Sequence, residues 1–380
     1  MQNANWSYPT TIWFGVGRIN ELDTACKDLS ITRPLFVTDR GLADQEITKR
    51  TCALIDEQFS ASATFMGVDG NPTKDNLDEG VAAFKEGGCD GVIAFGGGSA
   101  IDVGKLIAFM PGQTRPVWDF EDIGDWWTRA NADAIYPVVA VPTTAGTGSE
   151  VGRASVLTDN NSGVKKIIFH PKMQPSIVIC DPELTVALPP KITAGTGMDA
   201  IAHCLEAYCA PGYHPMGAGI ALEGMRLVKE NILRAFQHGD DLDARANMMA
   251  AAAMGGAALQ KGLGAIHALS HPIGAVHHTH HGTTNAVVMA PVLRFNRAAI
   301  EEPIERAAKY LGVDGGFDGF VAMVEDLNQS LDIPNGLTAL GVTDPDLDEL
   351  TRKALEDPSV GGNPAPMTYD NTLQLLKDCL

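Results

Sequence analysis

The 380-residue sequence has no uncharged apolar run long enough to span a membrane. Its opening stretch, MQNANWSYPTTIWF, lacks the basic-then-apolar order of a secretory leader. No CxxC occurs. The seven cysteines, Cys26, Cys52, Cys89, Cys180, Cys204, Cys209 and Cys379, are scattered and odd in number. That pattern excludes a disulfide framework and a cysteine zinc knuckle, and it fits reduced thiols in a cytoplasmic protein. Positive charge is scarce. Against 47 Asp and Glu stand 28 Lys and Arg, a net charge of −19, which argues against nucleic acid and anionic membranes as partners. Internal repeats and low-complexity linkers are also missing. What remains is 45% apolar, the composition of an ordinary soluble globular protein long enough for two domains or one large one.

The first half alternates short β-branched runs with helical segments. WSYPTTIWFGVGRI reads as a strand or hairpin, PLFVTDRGL as a buried strand ending at Thr38-Asp39-Arg40-Gly41, and SATFMGVDGNP as another strand. Thr73 is placed to cap the helix carrying Val81, Ala82 and Phe84. DGVIAFGGGSAIDVGKLIAF reads as strand, glycine turn and helix, AIYPVVAVPTTAGTGSE as strand and loop, and PSIVICDPEL as a last strand. This alternation implies βαβ units and a mostly parallel sheet. From about Pro189 the segments become long and rich in Ala, Met and Leu. The expected division is an α/β domain over residues 1–188 and an all-helical domain over 189–380.

The richest chemistry lies in GAIHALSHPIGAVHHTHHGTTNA, residues 264–286. It holds His267, His271, His277, His278, His280 and His281, six of the ten histidines. The flanks are small and apolar, and neutral imidazole is the commonest protein metal ligand. His267 and His271 share a helical face. Pro272 disfavours further helix, so a turn through Gly274 is expected before the second histidine group. Single histidines of such a run commonly cap or line loops; the group as a whole points to a metal. Upstream, Asp199 and His203 are also four apart, in a mostly apolar helix where an unpaired carboxylate is costly to bury. A divalent cation would offset that cost.

A second chemistry sits in the glycine turn. Gly96-Gly97-Gly98-Ser99 follows an apolar strand and opens a helix, the context in which glycines admit a phosphate to free N–H groups. It is not GxGxxG, because Ile101 replaces the third glycine, and alone it would serve equally as a tight turn. A second small-residue loop, Pro142 to Ser149, also follows a strand. Two such loops suit a pyrophosphate and ribose at the carboxyl ends of a parallel sheet. Asp39 also ends a strand. It is either a plain turn residue or an acceptor for ribose hydroxyls, and in the second role it would repel a 2′-phosphate and favour NAD over NADP. A dinucleotide and a metal together suggest a Lewis acid acting on an alcohol or aldehyde oxygen while the nicotinamide exchanges hydride, with the substrate in a cleft between the domains.

The segments GGGSAIDVGK, PTTAGTGSEV, LPPKITAGTGMDAIAHCLEAY and HALSHPIGAVHHTHHGTTNAVVMAPVLRFN resemble the iron-containing, or group III, alcohol dehydrogenases, and the likeness runs across nearly the whole chain. The resemblance implies a dehydroquinate-synthase-like fold, with a Rossmann-like parallel-sheet NAD domain followed by a helical metal domain. It implies metal ligands Asp199, His203, His267 and His281, the last chosen because the family's final ligand directly precedes a glycine. His271 would be the unligated catalytic histidine beside the nicotinamide. Gly97, Gly98 and Ser99 would hold the pyrophosphate, Asp39 and Asn71 the adenosine side, and Thr143, Thr144 and Thr147 would line the cofactor. Asp102 counts among the cofactor residues, and Lys166 matches a lysine that contacts the nicotinamide-side ribose. Iron is the expected metal, although Fe(II), Zn(II), Co(II) and Mn(II) all suit one carboxylate and three imidazoles. A homo-oligomer, a dimer or larger, is expected on the same basis.

Two departures fall near the expected substrate pocket. Gly152 precedes Arg153 where the family often has Thr, and the run His277, His278, Thr279, His280 is unusually rich in histidine. The expected activity is NAD-dependent oxidation of a primary alcohol or reduction of an aldehyde. A hydroxy-acid or diol dehydrogenase or transhydrogenase and a metal-dependent lyase on the same fold are the alternatives, the lyase disfavoured by the absence of an evident Lys/Arg cluster.

Overall fold

A computed structural model describes residues 10–160 and 164–380. They group into two compact units, one of residues 10–144 and 148–186, the other of residues 145–147 and 187–380.

The first unit is α/β. In chain order it contains β1 (Thr11–Phe14), α1 (Leu22–Asp28), β2 (Pro34–Asp39), α2 (Glu46–Gln58), β3 (Ala63–Val68), α3 (Lys74–Glu86), β4 (Gly91–Gly96), α4 (Gly98–Phe109), β5 (Val138–Pro142), β6 (Ala154–Asp159), β7 (Val164–Phe169) and β8 (Ile177–Cys180). Six strands form one sheet in the order β1-β8-β5-β4-β2-β3, every pairing parallel. Central strands β4 and β5 are buried along their whole length, which is why they read as continuous apolar runs. Phe36, Phe95, Val141 and Ile179 belong to the core on this sheet. Thr73 caps α3 as expected, in a capping box with Asn76.

Of the strand and the hairpin left open for the first segment, the described residues show a strand. β1 is a single strand whose partner is β8, about 165 residues later, a pairing that no local pattern reveals. β6 and β7 form a separate two-stranded antiparallel sheet, which the sequence reading does not anticipate. Their β-branched runs ASVLTD and VKKIIF flank a short polar, glycine-containing stretch, the sequence signal for such a pair.

The second unit is helical: α5 (Pro190–Cys209), α6 (Pro215–Gln237), α7 (Leu242–Ala258), α8 (Ala265–His277), α9 (His281–Leu311), α10 (Gly316–Ser330), α11 (Leu347–Glu356) and α12 (Tyr369–Asp378). Helix α8 does not stop at Pro272; it continues through Gly274 to His277. An internal proline forfeits one backbone hydrogen bond and costs about 3 kcal/mol. Ile266, Leu269 and Ile273 are essentially fully buried on the same helix. Each contributes about 1.5–3 kcal/mol by leaving water, so packing outweighs the proline. Among the described residues no helix is long and apolar enough to cross a membrane.

One buried ion pair braces the α/β unit. The Lys105 side chain is fully buried on α4, and its ammonium donates to the Ser149 carbonyl at 3.0 Å and hydroxyl at 2.8 Å and to the Ala154 carbonyl. Asp102 lies 3.0 Å from the same ammonium and accepts from the Ser149 hydroxyl and from the Val156 amide. Helix α4, the loop after β5 and strand β6 are thereby held together. Lys105→Met should leave Asp102 and two carbonyls without their cation. The expected loss of unfolding free energy, read from urea denaturation, is roughly 3–5 kcal/mol, against almost none for an exposed Lys74→Met control.

Candidate active site

Helix α5 presents Asp199, His203 and Glu206 on one face, at i, i+4 and i+7, and all three side chains are buried. Helix α8 brings His267, and α9 begins at His281. They converge on one oxygen. Asp199 Oδ1 lies 3.7 Å from His203 Nε2, 3.7 Å from His267 Nε2 and 3.6 Å from His281 Nε2. A tetrahedral ion with ligand bonds of about 2.1 Å has ligand–ligand edges of roughly 3.4 Å. Asp199, His203 and His267 therefore fit a divalent metal in donor type and spacing, their ligand atoms all lying within 4.8 Å of one another, whereas His281 approaches Asp199 but stands outside that group of three. The close approach of α9 to α5 explains the glycine after His281. A Cβ on Gly282 would stand 2.0 Å from the Gly195 carbonyl oxygen, so any other residue there would push His281 away.

Each of these imidazoles is also held at its other nitrogen. His203 Nδ1 lies 3.3 Å from the Gly146 carbonyl, His267 Nδ1 2.6 Å from Glu206 Oε2 and His281 Nδ1 3.5 Å from the Ser270 hydroxyl. Such outer partners fix which nitrogen faces a metal. The electrostatics point the same way. Burial pushes the Asp199 carboxyl upward, but His203, His281 and His267 outweigh it and hold it well below the usual carboxylate range. Burial presses on His267 too, yet Glu206 and Asp199 outweigh it and lift the imidazole to about 10. Two carboxylates beside one imidazole thus demand positive charge at this spot, which either a proton or a metal ion meets.

His271, one turn after His267, faces the same cluster. Its ring stacks on His281 with centroids 5.3 Å apart, and its Nδ1 lies 2.8 Å from Asp357 Oδ2. Three functional neighbours were missed in the sequence: Glu206, Asp357 and Asn285. Glu206 could have been found as a third polar residue on the Asp199 face. Asn285, one turn after His281, donates from Nδ2 to Asp199 Oδ1 at 2.8 Å. Asp357 is 86 residues from His271 and carries no local signal.

The histidine run separates by task. His277 ends α8 with Nε2 3.8 Å from Asp346. His278 takes a left-handed conformation, φ 53°. His280 caps α9, accepting at Nδ1 from the Thr283 amide. Only His281 of this run comes within ion-pair distance of Asp199 among the described residues.

The cofactor candidates lie mostly at the carboxyl ends of neighbouring strands β5-β4-β2-β3. Asp39 ends β2; Asn71 follows β3; Gly97, Gly98 and Ser99 follow β4; Thr143 and Thr144 follow β5. They are packed closely. Thr143 N donates to the Gly96 carbonyl at 3.0 Å, and Ser99 Oγ donates to the Gly70 carbonyl at 2.8 Å. Gly96 has φ 143°, and a Cβ there would stand 2.7 Å from Ala100 Cβ and 3.2 Å from Asp39 Oδ2. The N-terminus of α4 has no side-chain cap, and the Thr143 hydroxyl is buried without a protein partner. Free N–H groups, small residues and an unsatisfied hydroxyl fit a phosphate-bearing ligand. Three candidates stand apart. Asp102 is committed beneath the loop, as described above. Thr147 groups with the helical unit. Lys166 lies on β7, 3.4 Å from Glu121 and 3.9 Å from Asp159, and neither partner is at the carboxyl end of β5, β4, β2 or β3.

Comparison with known proteins follows the same division. The family described as "Iron-containing alcohol dehydrogenase" matches residues 9–182, and "Fe-containing alcohol dehydrogenase family, C-terminal" matches residues 193–380. The chain is 39% identical to a 4-hydroxybutyrate dehydrogenase of Cupriavidus necator, covering 98% of this chain and 99% of the relative. It is 33% identical to an NAD-dependent methanol dehydrogenase of Bacillus methanolicus, covering 99% and 100%. A crystal structure of a 1,3-propanediol oxidoreductase superposes with a TM-score of 0.95 at 31% identity over the full length of both chains.

Glu150, in the loop after β5, is fully buried, and burial raises its carboxyl to about 7. Its folded value lies above its unfolded one, so its stabilising contribution is complete below about pH 4.5 and is lost as the pH rises through 7. The loss should reach about 3 kcal/mol. Urea denaturation at pH 5 and pH 8 should show Glu150→Gln gaining stability relative to wild type at the higher pH.

Proposed function

Because the chain belongs to the iron-containing alcohol dehydrogenase family over both matched halves, we propose that it is an NAD-dependent, metal-dependent dehydrogenase of small primary alcohols. One oxygen carries this conclusion: Asp199 Oδ1, buried within 3.6–3.7 Å of three imidazole nitrogens. Asp199, His203, His267 and His281 would hold the metal, with Fe(II) the first candidate and Zn(II) the second. Bound there, the ion would supply Lewis acidity toward a hydroxyl or carbonyl oxygen, and a nicotinamide cofactor at the strand ends would supply the hydride acceptor or donor. His271, steadied by Asp357, is the proton-handling or substrate-positioning group. Gly97, Gly98 and Ser99 take the pyrophosphate, Asp39 and Asn71 the adenosine side, and Thr143, Thr144 and Thr147 line the remainder. Asp102 enters as the support of that loop. A homo-oligomer belongs to the same proposal.

The relatives favour a second substrate class. The 39% identical protein is named for 4-hydroxybutyrate, and another, 33% identical, from Klebsiella pneumoniae is a 1,3-propanediol dehydrogenase. A hydroxy acid or diol, with its second polar end, also suits the polar histidine run at residues 277–280.

The deciding experiment is an anaerobic assay of Fe(II)-loaded protein, following NADH absorbance over C2–C6 alcohols, diols and hydroxy acids beside a chelator-treated control. Metal-dependent NADH formation is expected, and His267→Ala should abolish both bound metal and turnover. No NADH from any substrate, with metal and NAD both bound, would remove the simple dehydrogenase in favour of a transhydrogenase or lyase; stoichiometric metal in His267→Ala would break the ligand set.

The cofactor preference has its own test. Burial raises the Asp39 carboxyl only part-way against hydrogen bonds from the Leu42 and Gly41 amides. Asp39→Gly should raise the NADP/NAD ratio of kcat/KM by ~10-fold or more, since removing like-charge repulsion of about 1.4 kcal/mol is tenfold. An unchanged ratio would take Asp39 out of the ribose site.

A further inference from the structure

We propose that Glu206 is the positioning residue of the metal centre: one buried carboxylate that aims the His267 imidazole with one oxygen and pins the start of its helix with the other. This rests on the metal reading above. Glu206 is 7% exposed and His267 1%. His267 Nδ1 donates to Oε2 at 2.6 Å, and the Ile266 amide donates to Oε1 at 2.6 Å. Both donors are in the first turn of α8, whose N-cap, Gly264, has no side chain to satisfy them. The orphan amides are met from elsewhere, that of Ile266 by Glu206 and that of Ala265 by Asn363 Oδ1 at 3.0 Å. Gly264 is required by this arrangement, since a Cβ there would stand 2.9 Å from Asn363 Oδ1 and 3.2 Å from Glu206 Oε1.

The two bonds make ring orientation and backbone position one constraint. His267 turns Nε2 toward Asp199 only when Nδ1 carries the proton, and that proton needs a buried acceptor. The carboxylate supplies it while its second oxygen fixes the amide immediately before His267. Glu206 also leaves the same helix that delivers Asp199 and His203, so α5 sets three of the four ligands, two directly and His267 through Glu206.

A carboxylate accepts at both oxygens, whereas an amide accepts at only one. In Glu206→Gln, whichever way the amide turns, an NH2 opposes either His267 Nδ1–H or Ile266 N–H. The test is metal affinity rather than turnover. Zn(II) and Co(II) affinities would be measured by chelator competition, with the Co(II) visible spectrum as a report on ligand geometry. Asn363→Ala serves as the comparison, because it removes the neighbouring amide's cap without touching His267. Glu206→Gln should weaken binding roughly 10- to 100-fold and alter the Co(II) bands. Asn363→Ala should lower the melting temperature yet keep affinity within about twofold. Equal losses in both variants would make helix capping the whole effect and overturn the proposal, as would unchanged affinity in Glu206→Gln. If Glu206→Gln does not fold, Glu206→Asp keeps both acceptors but withdraws them by one methylene. A weakened affinity there supports the proposal, and a wild-type affinity overturns it. Wild-type protein that binds neither ion would overturn the metal reading as well, whereas normal wild-type binding with an indifferent Glu206→Gln would overturn only the role of Glu206.

Discussion

A carboxylate buried at Asp199 is the constraint on which the helical unit depends. An isolated negative charge in an apolar interior is untenable, and the penalty is avoided only when positive or polarisable groups surround it. Here three imidazoles and one amide do so, drawn from three helices. Each must arrive from a different direction. Helix α8 therefore carries His267 in its first turn, α9 starts at His281, and α9 touches α5 where Gly195 meets Gly282. The close approach of these two glycines is a consequence of that one electrostatic demand.

The α/β unit solves a different problem with the opposite means. Its strand ends are small and the α4 N-terminus is uncapped, which leaves backbone N–H groups open in the manner a phosphate-bearing ligand would need. Open loops are soft, and the stiffness comes from below. Lys105 and Asp102, fully engaged with Ser149, Ala154 and Val156, brace the second loop from α4.

Much of this was legible in the chain. The parallel sheet followed from alternating apolar runs and helices, and Asp199 with His203 from four-residue spacing in an apolar helix. Local readings failed where the deciding contact was distant. β1 finds its partner β8 far along the sequence, and Asp357 reaches His271 across 86 residues; neither leaves a pattern in a short window. Pro272 misled for a related reason. Its rule is local, about 3 kcal/mol against a helix, and the burial that overrules it is tertiary. Glu206 was within reach, since its i+7 position repeats the face of Asp199. Acidic residues in helices are so often solvated that only its burial distinguishes it.

The histidine run separates composition from geometry. Four imidazoles within five residues, His277, His278, His280 and His281, have similar chemistry, and any of them could ligate a metal in a flexible peptide. The backbone divides them. A helix ends, a left-handed residue turns the chain, a side chain caps the next helix, and the following residue enters that helix against α5. A cap must point back at the amides of its own helix, so His280, with Nδ1 accepting from Thr283, cannot also direct that lone pair at Asp199. His281, one residue on, is in the helix and is the first able to face the carboxylate. The glycine that follows it is then required by contact with α5, which gives the His-Gly pair a mechanical cause independent of any family pattern.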